Sequence, residues 1–200
     1  MLLKIYDKNP SERDLQRVVD VLERDGVVIL PTDGVYAFAC AVRSAKGLAR
    51  LRALSGKSAD EMSVIFSDLS SIADYCRVDN VAFRTLKRNL PGAFTFILPA
   101  SSRVPDKVLA KRRTVGVRMP DCVVTRAIVE RLGAPILAAS VKDDDAIVEY
   151  TTDPSLIDER YGREVDMVVD GGIGLPLPTT VVDLSDGEAE ILRQGGGELA

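Results

Sequence analysis

The chain contains no histidine in its 200 residues. That absence removes Ser-His-Asp triads, Cys-His dyads and most zinc sites. Any catalysis must then run on lysine, arginine, carboxylates, hydroxyls, backbone groups or a bound ion. Cysteine is scarce as well. Cys40, Cys76 and Cys122 are odd in number and far apart, which suits neither a disulfide framework nor a C-x-x-C metal pair; they read as small buried thiols in a reducing cytoplasm. No G-x-x-x-x-G-K-[ST] loop is present, and "GGIGLP" at 171–176 lacks the helix and the spacing of a dinucleotide fingerprint. No apolar run approaches the ~20 residues of a membrane helix, and the opening "MLLKIYDKNP" turns polar within four residues, unlike a signal peptide. A cytoplasmic, soluble protein with no membrane partner is expected. No internal repeat, low-complexity tract or Pro/Gly-rich linker divides the sequence, so residues 1–200 are expected to form a single domain.

What is present is an uneven charge distribution. The net charge of −4 conceals nine basic residues against one acid between Arg84 and Arg118, and fifteen acids against four basic residues from Val141 onward. A positive middle third favours anionic partners such as nucleotides or RNA. The same charges also suit a solvated face paired with the acidic half.

Hydrophobic periodicity alternates between the two types of element. "NPSERDLQRVVDVLERDG" predicts a helix: Ser11 and Asp14 resemble a capping box, Leu15, Val18, Val19 and Leu22 recur at helical spacing, and Gly26 stops it. Ser44 to Gly56 predicts a second helix, "DNVAFRTLKRNLPG" a third with Val81, Leu86 and Leu90 inward, and "VVTRAIVERLG" a fourth. "VVIL", "YAFACAV", "SVIF", "FTFIL", "TVGVRMP", "PILAAS", "VDMVVDGG", "TTVVDLS" and "AEILRQG" read as strands. Helices and strands alternate, then strands cluster at the end, which predicts an α/β fold with a mixed sheet.

Several strands end on groups that could serve a site. Thr32 and Tyr36 flank the turn in "LPTDGVYAFAC", a stretch that also suits a plain connector. Arg118 follows an apolar strand and precedes Pro120, as a fixed carboxylate or phosphate clamp would. "LPLPTTVVDLS" places paired threonines at a strand start, "ILRQGG" places Arg193 before glycines, and "PILAASVKDDD" runs a buried strand into Lys142 and three aspartates.

In this order and spacing, "GVVILPTDGVYAFAC", "PGAFTFIL", "TVGVRMP", "PILAAS", "VDMVVDGG", "TTVVDL" and "ILRQGG" resemble the YrdC-like family of threonylcarbamoyl-AMP synthases along nearly the whole chain. "VDNVAFRTLKRNLPGAFTFILP" and "KRRT" are similar to its YciO branch. The resemblance implies a twisted sheet with flanking helices around a deep, positively charged cavity. It implies a reaction in which ATP, L-threonine and bicarbonate give threonylcarbamoyl-AMP and pyrophosphate, with Mg²⁺ accompanying ATP. The product feeds threonylcarbamoylation of tRNA, and the family is also associated with RNA binding.

Carried over, the resemblance puts Thr32 and Arg118 on threonine, with Arg118 at its carboxylate, and Thr179 near the threonine or the phosphates. It puts Lys57, Thr114, Ser140 and Arg193 on the nucleotide. Lys142 stands where the family's S-x-N motif has asparagine, and it is expected to supply a phosphate-binding charge. The family's K-x-R is "SGK" here, so Ser55 and Lys57 carry one positive charge fewer; the second threonine of PT-x-T is Gly34; and the histidine of the next strand falls near Phe66. Three functions are compatible with this pattern: the synthase itself, a nucleotide- or RNA-binding protein without turnover, and a related enzyme whose amino acid pocket Gly34 and Phe66 reshape toward something larger or less polar.

Overall fold

The computed structural model describes residues 1–58, 61–109, 111–141 and 149–200. The helix signals translate directly into caps. Helix α1 (Glu12–Glu23) starts where the Ser11 hydroxyl accepts from the Asp14 amide, and it buries Leu15, Val18, Val19 and Leu22, each worth about 1.5–3 kcal/mol relative to exposure. Helix α2 (Ala45–Ser55) is capped by the Ser44 hydroxyl on the Gly47 amide and ends at Gly56, whose φ of 61° is left-handed and suits a residue without a Cβ. Helix α3 covers Leu69–Tyr75. Helix α4 (Asn80–Asn89) turns Ala82, Leu86 and Asn89 inward. Val81, expected inward, is 42% exposed. Asp79 caps the Ala82 amide, and the phase set by that start puts position 82, not 81, on the buried stripe with 86.

Helices α5 (Asp106–Leu109), α6 (Val123–Leu132), α7 (Glu149–Thr152) and α8 (Pro154–Tyr161) follow. Apart from α6, these and α3 span only four to eight residues, too short for a 3.6-residue period to show in sequence.

Among the described residues ten strands form one mixed sheet: β1 (Leu2–Lys4), β2 (Val28–Leu30), β3 (Ala37–Ala41), β4 (Ser63–Ile65), β5 (Phe94–Pro99), β6 (Thr114–Arg118), β7 (Ile136–Ser140), β8 (Met167–Asp170), β9 (Thr180–Asp183) and β10 (Glu190–Arg193). Their order across the sheet is β1-β8-β2-β3-β7-β4-β6-β5-β9-β10. β1–β8, β2–β8, β4–β6 and β5–β9 run parallel, whereas β2–β3, β3–β7, β4–β7, β5–β6 and β9–β10 run antiparallel. β1 lies in the segment read as a polar opening. It is an edge strand whose middle residue, Leu3, alone turns inward.

The two sheet faces are covered unequally, and this makes the site. One face carries the larger core, where α2, α3 and α4 contribute Leu48, Leu51, Ile72, Tyr75, Ala82 and Leu86 over Phe38, Phe96 and Val117. On the other face α1 and α6 pack on β8, β2, β3 and β7 through Val18, Leu22, Val124 and Ile128. Past Ile65 and Ala138 that second layer stops, leaving the same face of β4, β6, β5 and β9 without a helix among the described residues. Strand β5 records the asymmetry: Phe94, Phe96 and Leu98 are buried, while Thr95 and Ile97 are only partly so. All three cysteines are buried thiols. No helix among the described residues is long and apolar enough to cross a membrane.

Candidate functional site

The uncovered face is the floor of a cavity of about 540 Å³. Ala138, Ser63, Gly116 and Ile97 cross it as one register row of β7, β4, β6 and β5. Three loops wall it: the 32–35 turn between β2 and β3, the 176–178 segment before β9, and the chain around Lys57 after α2. Among the described residues four cationic side chains line it, Lys57, Arg112, Arg118 and Arg193, together with one acid, Glu61. Hydroxyls of Thr32, Ser63, Thr95, Ser140, Thr151 and Thr179 complete the polar lining.

Arg118 ends β6 and is 5% exposed. Its Nη2 donates to Asp33 Oδ1 at 2.9 Å, and the other Asp33 oxygen accepts from the Asp121 amide at 2.9 Å. Arg118 Nε is buried and has no hydrogen-bond partner among the described residues. Burial pushes the Arg118 guanidinium below its ordinary value, the Asp33 charge pulls it back up, and Arg193 adds to the lowering. An arginine remains charged under such shifts, so Arg118 brings a positive group to the cavity lining. A buried donor such as its Nε costs about 1–3 kcal/mol until something accepts from it.

Lys57 Nζ donates to the Ser140 carbonyl at 3.0 Å, and Lys57 is 8% exposed. This bond ties the end of α2 to the end of β7 and brings together two residues 83 positions apart. The Thr32 hydroxyl donates to the Val35 carbonyl at 2.7 Å and accepts from the Gly34 amide at 3.1 Å, so it holds its own turn. Thr179 Oγ1 lies 2.8 Å from Thr95 Oγ1, and Arg193 Nη2 donates to the Thr179 carbonyl at 2.9 Å. Of the residues expected at the site, Thr32, Lys57, Arg118, Ser140, Thr179 and Arg193 line this one cavity. Thr114 stands at the opposite end of β6 from Arg118, paired with Pro99, and is not among the lining residues. Lys142 and the aspartates after it lie outside the described residues.

Two further expectations change. A Cβ on Gly34 would overlap the Leu177 carbonyl oxygen, and the Leu175 amide donates to the Gly34 carbonyl at 3.1 Å. The volume left by the missing threonine side chain is therefore filled by the 175–178 backbone and does not enlarge the cavity. Phe66 is fully buried and packs edge-on against Tyr75 at 5.7 Å; it faces the large core. Tyr36, noted as a hydroxyl beside the turn, has its side chain buried and donates to the Gly172 carbonyl at 2.6 Å. Burial pushes its phenol well above the ordinary range, so it anchors the start of the 171–178 segment as a neutral donor. Of the nine basic residues between Arg84 and Arg118, Arg112 and Arg118 reach the cavity, whereas Arg84, Lys87, Arg88, Lys107, Lys111 and Arg113 are exposed. Arg103 pairs with Asp74 and Arg118 with Asp33, neither of them in the acidic C-terminal half.

Residues with no sequence signal of their own also line the site. Thr95 and Ser63 look like ordinary strand residues, and their place on the uncovered face is what puts them at the site. The alternation of "FTFIL", which sets Thr95 against two inward phenylalanines, is the signal that could have singled out Thr95.

Comparison with known proteins follows this geometry. The Sua5/YciO/YrdC family model, described as telomere recombination, matches residues 20–195. The crystal structure of E. coli YciO superimposes with a TM-score of 0.92 at 34% identity, covering 99% of this chain and 97% of the other. A threonylcarbamoyl-AMP synthase of Thiobacillus denitrificans is 30% identical over 175 residues, 86% of this chain and 90% of that protein. The crystal structure of P. abyssi Sua5 complexed with L-threonine shares the fold, with a TM-score of 0.86 at 22% identity over 98% of this chain and 58% of the other.

Proposed function

Because the chain belongs to the Sua5/YciO/YrdC family, we propose that it is a nucleotidyltransferase of the threonylcarbamoyl-AMP synthase type, joining ATP, L-threonine and bicarbonate and releasing pyrophosphate, in support of tRNA threonylcarbamoyladenosine formation. The observation that carries this reading is Arg118, a buried guanidinium lining the cavity, with one donor satisfied by Asp33 and another, Nε, without a partner among the described residues. Such a group is suited to the carboxylate of a bound amino acid. Lys57, Arg112 and Arg193 are suited to phosphate oxygens and to the charge that develops on pyrophosphate as it leaves. Synthase relatives at 26–30% identity support the same chemistry.

The chemistry asks little of a side chain as acid or base. Once the threonine amine has condensed with bicarbonate, forming the N–C bond and releasing water, its carbamate oxygen attacks the α-phosphorus and the bond to the β,γ-pyrophosphate breaks. Holding two anions at reacting distance supplies most of the barrier reduction, which is compatible with a chain that has no histidine. Thr32, Ser140, Thr179 and, from the far end of β6, Thr114 are proposed contacts of the two substrates, and Lys142 is proposed as a further phosphate contact. Mg²⁺ would arrive as the counter-ion of the ATP phosphates.

Incubation of the full chain with ATP, L-threonine, bicarbonate and Mg²⁺ should yield threonylcarbamoyl-AMP. Its absence at high protein concentration, with a competent synthase as control, would overturn the reading. A second reading, RNA binding without turnover, draws on the exposed Arg84, Lys87, Arg88, Lys107, Lys111 and Arg113. It predicts RNA affinity that falls steeply with salt as phosphate contacts release counter-ions, and salt-insensitive or absent binding would count against it.

A further inference from the structure

Thr95 lies between the two arginines of the cavity floor. Val181 is its register partner on β9, and Arg193 is the partner of Val181 on β10. On the other side, Thr95 comes next in line with Arg118, one step beyond the Phe96–Val117 pair. With about 4.8 Å between neighbouring strands, the Arg118 backbone is one spacing from Thr95 and that of Arg193 two spacings.

Hydrogen-bond direction adds a second argument. Arginine can only donate. Arg193 Nη2 reaches the Thr179 carbonyl at 2.9 Å and Thr179 Oγ1 at 3.4 Å. Thr179 Oγ1 has two lone pairs, so it can accept from Arg193 and still bond Thr95 Oγ1 at 2.8 Å with either hydroxyl as the donor. With Thr179 as the donor, Thr95 Oγ1 accepts, and among the described residues nothing receives its proton. In that arrangement the proton is available to the cavity, which Thr95 lines.

We propose that Thr95 is a ligand-contacting residue whose hydroxyl donates to one oxygen of an anionic group, carboxylate or phosphoryl, seated between Arg118 and Arg193. The proposal rests on the reading that the cavity takes ATP and an amino acid. Donors converging from both sides favour an acceptor-only oxygen and refuse an amide or ammonium nitrogen, so Thr95 contributes selectivity for the charged group as well as affinity. It needs no movement of the backbone, because β5 is paired on both edges.

The test uses isothermal titration of the full chain with L-threonine in one arm and inorganic pyrophosphate in the other. Thr95→Val removes the hydroxyl and keeps the branched shape, while Thr95→Ser keeps the hydroxyl. Thr95→Ala carries the same expectation as Thr95→Val if the valine variant does not fold, and thermal unfolding without ligand checks this. The expected result is a loss of about tenfold in one arm for Thr95→Val, with Thr95→Ser within about threefold of the unsubstituted chain. The arm that falls identifies the group as the threonine carboxylate or a phosphoryl. Binding of both probes within twofold in Thr95→Val, equal losses in the serine and valine variants, or no binding of either probe by the unsubstituted chain would each overturn the proposal. Failure of the synthase reading would show differently, as probe binding by the unsubstituted chain without formation of threonylcarbamoyl-AMP.

Discussion

Arg118 and Asp33 form an ion pair at 2.9 Å with side chains only 6% and 9% exposed, joining the end of β6 to the turn after β2 across 85 residues of sequence. Removing one partner of a buried pair strands the other charge, at a typical cost of about 3–5 kcal/mol. Asp33→Ala is therefore expected to lower the free energy of unfolding in urea by about 3 kcal/mol. Asp33→Ala combined with Arg118→Met should recover part of that loss, since no buried charge remains. A double-mutant coupling below about 0.5 kcal/mol would contradict this account.

Gly34 admits the Leu177 carbonyl where any side chain would collide with it. Gly34→Ala is expected to cost about 1–3 kcal/mol, the usual range for overpacking. It should also accelerate amide hydrogen exchange at Leu175, whose N–H bonds the Gly34 carbonyl. Unchanged exchange with a stability loss under 0.5 kcal/mol would show that the 175–178 segment does not rest on this glycine.

Alkaline pH should destabilise the fold through its thiols. Burial pushes Cys40 and Cys76 up to about 12 from an ordinary value of 9.0, and pushes Cys122 up as well. The neutral thiol is the form the folded state favours. Its contribution is present in full below about pH 9, and it is lost as pH rises toward 12, because the unfolded chain releases those protons first. Unfolding free energy measured in urea should decline from pH 8.5 to 11. A Cys40→Ala, Cys76→Ala chain should lose less over the same interval, and an equal loss would assign the effect to other groups.

Much of the fold was legible in local pattern. The Ser11 and Ser44 caps, the left-handed Gly56 and the alternation of β5 are decided by neighbours a few residues apart, so sequence spacing records them. β1 and the helices of four to eight residues were not legible, because so few residues complete no readable period. Val81 was misplaced by one position because the Asp79 cap, not composition, sets the phase of α4.

The site divides along the same line. By itself the sequence determined which chemistry was available: a chain without histidine, with a threonine in a PT turn, arginines at two strand ends and a lysine after a helix. Only the tertiary structure decided how these groups are used. Asp33, an ordinary turn residue in sequence, is the buried counter-ion of Arg118. Gly34 does not open the cavity, because the Leu177 backbone occupies its space. Thr95 lies between two arginines only because β5, β6, β9 and β10 are neighbours in that register. Sheet register and the stretch of one face that α1 and α6 leave bare are long-range properties, set by packing between segments far apart in the chain, and no local period carries them.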